Sequence, residues 1–354
     1  MRIAMVAPIW ERVPPARYGG IELVVSLLTE ELVARGHEVT LFASGDSLTN
    51  AELSHVYHTP KRDAIGTEVV DLHHVSQPFL DADDYDVIHN HDGYAGIMLA
   101  SFVDTPVLTT LHGIFTDTNK PFFLAFKDAC YFNSISDEQR RGCPELNYVG
   151  TVYNAIDVPG WPFCAEKGDY YVFIGRMSHL KGADLAAEVA ERAGIKLIMA
   201  GKIDECDEVF FNERVGPHVD GERIIFKGEV SPEEKRDLLC GARGFVFPLQ
   251  WSEPFGLVMI EAMVSGTPVI AFPYGSVPEL VVDGETGFLV NNLDEMVEKV
   301  KKLETLDAAA CRRHVESRFG VKRMTNNYVA LYESIISRHQ SGTGAAAVGQ
   351  SQKP

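Results

Sequence analysis

No stretch of about 18 uncharged apolar residues occurs in the 354 positions of this sequence, so nothing in it reads as a membrane-spanning helix. No leader is expected either. Met1-Arg2-Ile3-Ala4-Met5-Val6-Ala7-Pro8 breaks too soon for a signal peptide and reads as a first strand, which predicts a cytoplasmic protein. Cysteine is scarce: Cys130, Cys143, Cys164, Cys206, Cys240 and Cys311 form no C-x-x-C pair, mostly sit in apolar surroundings, and are expected as reduced core residues. Positive charge is short as well, with 32 Lys and Arg against 50 Asp and Glu and a net charge of -18. That balance argues against nucleic acid, whose recognition needs a basic face. The shortage is sharper in residues 1–160, which hold 10 Lys and Arg against 22 Asp and Glu. Docking on an anionic membrane would draw about 1 kcal/mol from each nearby Lys or Arg, so a small soluble partner is expected there instead.

Metal-ligand spacing is equally sparse. Asp81-Ala82-Asp83-Asp84 contains D-x-D but lies in a solvated run, and His89-Asn90-His91 has no third ligand at a known spacing. No G-x-G-x-x-G follows the first strand; Gly19-Gly20 alone is most simply a turn.

What is present is a βα alternation long enough for two domains. Residues 2–8 and 37–43 read as strands around a helix from about Ile21 to Arg35, with Leu23, Leu27, Leu28 and Leu32 near one face and Gly36 as its stop. Residues 44–80 have weak periodicity and are expected as loops with short strands. Strands follow at 86–89, 106–111, 130–136 and 148–153, with Ser136 capping a short helix and Gln139 three residues on. Residues 159–168, rich in Pro and Gly, read as a linker, and strands recur at 170–174, 195–201, 224–230, 244–248 and 266–272. Helices are expected over 294–304, 307–318 and 321–338. From Gln340 the Ser, Gly, Ala and Gln composition reads as a disordered tail.

One stretch concentrates chemistry. After the strand near 244–248 comes Trp251-Ser252-Glu253-Pro254-Phe255-Gly256-Leu257, running into Val258-Met259-Ile260-Glu261-Ala262-Met263 at helical spacing. Pro254 suits the first helical position, leaving the amides of Phe255, Gly256 and Leu257 to form an electropositive end that attracts an anion. Glu253 would stand at its lip, with Glu261 about two turns along. A pair of acids in a helix's first turns is commonplace by itself. The loop Gly175-Arg176-Met177-Ser178-His179-Leu180-Lys181-Gly182 can add two cations before another helix start.

These strings resemble the Glu-x7-Glu signature of the retaining family 4 glycosyltransferases, usually close to E-P-F-G-L-x-x-x-E-A-M, and their G-R-x-x-x-x-K-G loop. The resemblance runs to about residue 338. It implies an α/β GT-B fold: two Rossmann-like doubly wound domains facing across a cleft, over 1–158 and 169–320, with helix 321–338 crossing back and a tail at 339–354. It implies transfer of a hexose from a nucleoside diphosphate sugar, most simply a UDP-hexose, to a hydroxyl of a soluble acceptor with retention. No tightly bound cofactor and no metal would be needed, because Arg176 and Lys181 would neutralise the leaving diphosphate.

By the same resemblance His112, at the end of strand 106–111, lies under the donor sugar, and Glu253, Arg176 and Lys181 complete the catalytic set. Gly19, Gly20, Gly201, Val230, Phe255, Gly256, Leu257 and Glu261 would bind the donor, with Glu261 on the ribose. His91 becomes a sugar contact, and Trp10, Tyr18 and Phe115 an aromatic platform for the acceptor. Asn154-Ala155-Ile156-Asp157 resembles the family's N-G-I-D turn, with Ala155 where Gly is usual. Two other readings use the same architecture: a sugar-nucleotide epimerase and a non-catalytic sugar-nucleotide binder. Oligomeric state and acceptor identity are not written in these motifs.

Overall fold

The computed structural model describes residues 1–17 and 19–341. The chain divides into two compact units, one formed by Met1–Ala155 with the segment from Val321 onward, the other by Ile156–Gly320.

Short runs such as Ile3-Ala4-Met5-Val6, apolar on both faces, suit a parallel sheet covered by helices on each side. The first unit builds its sheet from seven of them: β1 (Arg2–Val6), β2 (Glu38–Phe42), β3 (Glu52–Ser54), β4 (Val87–Asn90), β5 (Val107–Thr110), β6 (Tyr131–Ser134) and β7 (Tyr148–Thr151). Their spatial order is β3-β2-β1-β4-β5-β6-β7, all parallel, with Met5 opposite both Leu41 and His89. The direction of winding therefore reverses between β1 and β4, and at such a switch point the loops diverge and leave a crevice.

The second unit repeats the plan with β8 (Tyr171–Ile174), β9 (Leu197–Ala200), β10 (Ile224–Phe226), β11 (Phe245–Phe247), β12 (Val269–Ala271) and β13 (Gly287–Leu289). Its order, β10-β9-β8-β11-β12-β13, is again parallel throughout and reverses between β8 and β11.

Helix Gly20–Ala34 buries Val24, Val25, Leu28, Thr29 and Leu32, while Leu23 and Leu27 of the expected face are only half-buried. Helix Val321–Gln340 packs on it, and Arg35 donates to Asn326 Oδ1 (2.7 Å) and the Lys322 carbonyl (3.1 Å). Tyr328 and Tyr332 of that last helix are fully buried.

Three sequence expectations change. Residues 44–80 contain helices Glu68–Val75 and Gln77–Leu80 besides β3. Segment 159–168 is bound into the second unit: Lys167 Nζ donates to the carbonyls of Cys240 (2.9 Å) and Ser265 (3.2 Å) and to Thr267 Oγ1 (3.0 Å), at the ends of two helices. Cys164 and Cys240 are joined in a disulfide, so these two cysteines are not the reduced residues expected. Of the others, Cys130, Cys143 and Cys311 are buried and Cys206 is exposed. Most of the tail lies outside the described residues. Among the described residues no helix is long and apolar enough to cross a membrane.

Candidate active site

In the first unit the loops after β1, β4 and β5 meet at the switch point around a cavity of about 290 Å³. Trp10, Glu22, His91, Asp92, His112 and Phe115 are among its lining residues, so it gathers four of the residues singled out from sequence: Trp10, His91, His112 and Phe115. Tyr18 lies outside the described residues. Phe115 also packs edge-on against Phe123 at 5.0 Å between ring centroids, which seats it partly in the core.

His112 leaves the end of β5 and its ring stacks on His91, with Nε2 and His91 Nδ1 2.9 Å apart. Gln139 Nε2 donates to the carbonyls of Leu111 (3.0 Å) and Gly113 (2.7 Å), pinning the backbone on either side of His112. Ser136 Oγ caps the short helix Asp137–Arg141 by accepting from the Gln139 amide at 3.1 Å. The Gln139 side chain, placed by spacing in a capping box, instead accepts from the Ile135 amide. Burial holds His112 down at about 4, and burial with neighbouring histidines holds His89 and His91 well below 6.5, so all three are neutral near pH 7.

The acids of this cavity are unusual. Glu22, in the first turn of helix Gly20–Ala34, is 5 % exposed, and desolvation raises its carboxyl to about 7. Desolvation and the nearby Asp71 push Asp92 well above the usual range; the otherwise unmatched Asp92 Oδ2 and Asp71 Oδ1 are satisfied when the pair shares a proton. Gly19 precedes the helix at φ 153°, where a Cβ would fall 2.7 Å from Pro15 Cβ and 2.8 Å from Glu22 Oε2; Gly20 is the first helical residue.

In the second unit the loops after β8 and β11 hold the charged residues. Lys181 Nζ pairs with Glu253 Oε2, lies 4.9 Å from the centre of the Trp251 ring, and shares its acid with Trp251 Nε1, which donates to the same oxygen at 2.9 Å. Glu253 is 8 % exposed, and these two donors meet the oxygen that it buries. Arg176 approaches Asp204 (3.2 Å) and Asp207 (3.4 Å), and Lys202 reaches Asp204 at 2.9 Å. Lys202's hydrogen bond, helped by Arg176, holds Asp204 below the usual carboxylate range. Gly201, at φ 146°, lets the loop after β9 touch the loop after β8: a Cβ there would lie 1.8 Å from the Gly175 carbonyl oxygen. Val230 is half-buried in the turn after β10, just ahead of the capping box Ser231–Glu234.

The signature helix starts later than Pro254 suggests. It spans Leu257–Val264, and Gly256, at φ 83°, is its N-cap; Pro254 and Phe255 precede it. A left-handed residue ends any helical run, so the open amides begin at Leu257 rather than Phe255. Gly275 fixes the turn by close approach, since a Cβ on it would come within 2.3 Å of the Glu253 backbone N and O. Ser276 Oγ donates to the Phe255 carbonyl at 2.7 Å. Glu261, 4 % exposed, is paired with Lys235 at 2.7 Å, a partner that the motif did not announce. Glu22 and Lys235 are site neighbours that sequence reasoning missed, while Asp92, Gln139 and Trp251 lay beside or within the stretches already singled out and were given no site role, because their contacts come from the fold.

Known proteins resemble this chain across both units. A family profile described as Glycosyl transferases group 1 matches residues 163–317, and one described as Glycosyltransferase Family 4 matches residues 18–136. An uncharacterized glycosyltransferase of Methanocaldococcus jannaschii is 26 % identical over 350 residues, covering 82 % of this chain and 85 % of its own. Among solved structures, a glycosyltransferase involved in Avilamycin A biosynthesis superposes with a TM-score of 0.75 at 25 % identity, over 95 % of this chain and 98 % of that one. Anabaena HepE, solved in complex with UDP and glucose, gives a TM-score of 0.71 at 18 % identity, over 94 % and 100 %. With two parallel-sheet units of Rossmann type and motifs placed at both switch points, the chain belongs to the group 1 glycosyltransferases of GT-B fold.

Proposed function

We propose that this glycosyltransferase moves a hexose from a UDP-sugar to a hydroxyl of a soluble acceptor, with retention at the anomeric carbon and without a metal. The observation that carries the reading is the loop pair after β8 and β11, where Lys181 and Glu253 are joined beside the N-terminus of helix Leu257–Val264. A diphosphate bound there meets Lys181, Arg176 and the open amides from Leu257 onward, and their fixed dipoles stabilise charge as it develops on the leaving group. Glu253, released from Lys181 by the incoming phosphate, turns to the sugar hydroxyls. Glu261 accepts from the ribose hydroxyls once Lys235 yields. HepE, the UDP- and glucose-bound structure of the same fold, supports UDP as the nucleotide.

Among the described residues the lining of the first unit's cavity includes no Lys or Arg, which favours an uncharged acceptor over a phosphorylated one. Trp10 and Phe115 offer it an aromatic wall, and His112 a hydrogen-bonding edge to the donor sugar.

A thermal-shift series with UDP, GDP and ADP tests the nucleotide. At 100 times its dissociation constant a ligand adds about 2.7 kcal/mol of stability, and UDP should stand apart. Product NMR with UDP-hexoses and a panel of soluble alcohols then reads anomeric configuration: an α-linked product from an α-linked donor supports retention. An epimerised UDP-sugar formed with no acceptor present would replace this reading by the isomerase. Turnover undiminished by a chelator supports metal independence, and turnover that returns only with added cation removes it.

A further inference from the structure

Beneath His112 lies a chain of buried polar groups whose donor and acceptor roles can be solved from its far end. Asn133 Oδ1 is a carbonyl oxygen and only accepts, so the single proton of Thr110 Oγ1, 2.7 Å away, is committed to it. Asn133 Nδ2, in that orientation, donates to Tyr328 OH at 3.4 Å, and Tyr328 OH in turn donates to Thr110 Oγ1 at 3.2 Å. With its proton spent, Thr110 Oγ1 must accept from His89 Nε2 at 2.7 Å. His89 therefore carries its proton on Nε2, and its bare Nδ1 accepts from Tyr332 OH at 2.6 Å. His91 Nε2, 3.3 Å from that same bare nitrogen, meets it favourably only as N–H. His91 Nδ1 is then bare and accepts from His112 Nε2 at 2.9 Å.

We propose that His89 and His91, anchored on Thr110 and on Tyr332 of the C-terminal helix, are positioning residues that hold His112 as the Nε2–H tautomer, so that its Nδ1 offers a lone pair to a substrate hydroxyl. Among the described residues Nδ1 of His112 has no hydrogen-bond partner, and the residue lines the cavity. The ring thus serves as an acceptor for O–H groups and is not fitted to contact a phosphate oxygen, which would need an N–H. The ligand class addressed is a sugar or polyol hydroxyl. This inference rests on the proposed transferase reading for its effect on turnover, while the tautomer assignment stands on geometry alone.

Long-range 1H–15N NMR of the full chain labelled at histidine, with peaks assigned by single substitutions, reads each ring directly. The expected spectrum shows protonated Nε2 and bare Nδ1 for His89, His91 and His112. His91→Leu should convert His112 to a mixture of tautomers and lower kcat/KM at least tenfold, with UDP affinity unchanged within twofold. His91→Gln, whose amide can accept from His112 and donate to His89, should restore both readouts to within threefold. Tyr332→Phe serves as a second variant, acting from the other end of the chain. A wild-type spectrum with the proton on His112 Nδ1, or a His91→Leu protein with unchanged tautomer and kcat/KM, overturns the proposal. A correct tautomer pattern in a protein that turns over no nucleotide sugar would overturn the transferase reading and leave the tautomer assignment in place.

Discussion

At the scale of single residues, charge and burial set the behaviour. The pair Lys181 and Glu253 sits where the leaving diphosphate is placed by our reading, and removing one preorganised donor of this kind costs about 2.7 to 4 kcal/mol of transition-state stabilisation. Lys181→Ala and Arg176→Ala should each lower kcat by about 100- to 1,000-fold in steady-state assays. The melting temperature should stay close to the parent's for the more exposed Arg176→Ala and fall for Lys181→Ala, which takes a donor from the buried Glu253 carboxylate. Burial predicts a pH response of known sign. His74, His89, His91 and His112 have folded-state affinities for protons below the ordinary 6.5, so their contribution is complete above about pH 6.5 and is lost as pH falls toward 4. Thermal melts should show stability falling through that window. Glu22 works in the opposite sense: raised from 4.5 to about 7, it favours the fold at low pH and opposes it once ionised. Glu22→Gln should therefore stabilise the protein above pH 7, by on the order of 3 kcal/mol at most, and have little effect at pH 4. These residues were poorly legible in the sequence, because a raised or lowered proton affinity depends on neighbours from other strands. Lys181, Arg176 and Glu253 stood out only because their loops carry long motifs.

At the scale of elements, most strands were legible because a parallel sheet covered on both faces needs continuous apolar runs, such as Tyr171-Val172-Phe173-Ile174. Helix Glu68–Val75 was not, since Val69 is 75 % exposed and Leu72 is 42 % exposed, leaving no clean apolar stripe. The start of the signature helix was misplaced for a different reason. Proline preference pointed to residue 254, whereas the positive φ of Gly256 sets the boundary. Gly275→Ala tests how tightly that turn is held: the new methyl meets Glu253 backbone, so loss of UDP binding and a drop of about 1 to 3 kcal/mol in denaturant melts are expected. The Cys164–Cys240 bond escaped detection because a separation of 76 residues leaves no local pattern. Thiol titration of the unfolded, unreduced protein should count the four cysteines Cys130, Cys143, Cys206 and Cys311. Cys164→Ser with Cys240→Ser should cost about 2 to 4 kcal/mol by the usual effect of closing a long loop.

At the scale of the molecule, both units follow one plan, with sheet order reversing beside the first strand and charged or aromatic loops gathered there. The connection between them is double. The chain leaves the first unit at Ala155 and returns at Val321, and within the second unit the Ile156 amide donates to the Phe319 carbonyl at 3.0 Å, so its two ends lie side by side. A chain ending at Gly320 should keep a protease-resistant second unit but lose resistance in the first, because Tyr328 and Tyr332 no longer fill the space against His89 and Thr110. Limited proteolysis followed by mass spectrometry distinguishes the two. The same arrangement sets a birth order on the ribosome. The first unit to be translated waits for the last helix to emerge, while the unit encoded in between is already complete, so the older half of the newborn chain is the one left open to chaperones and proteases.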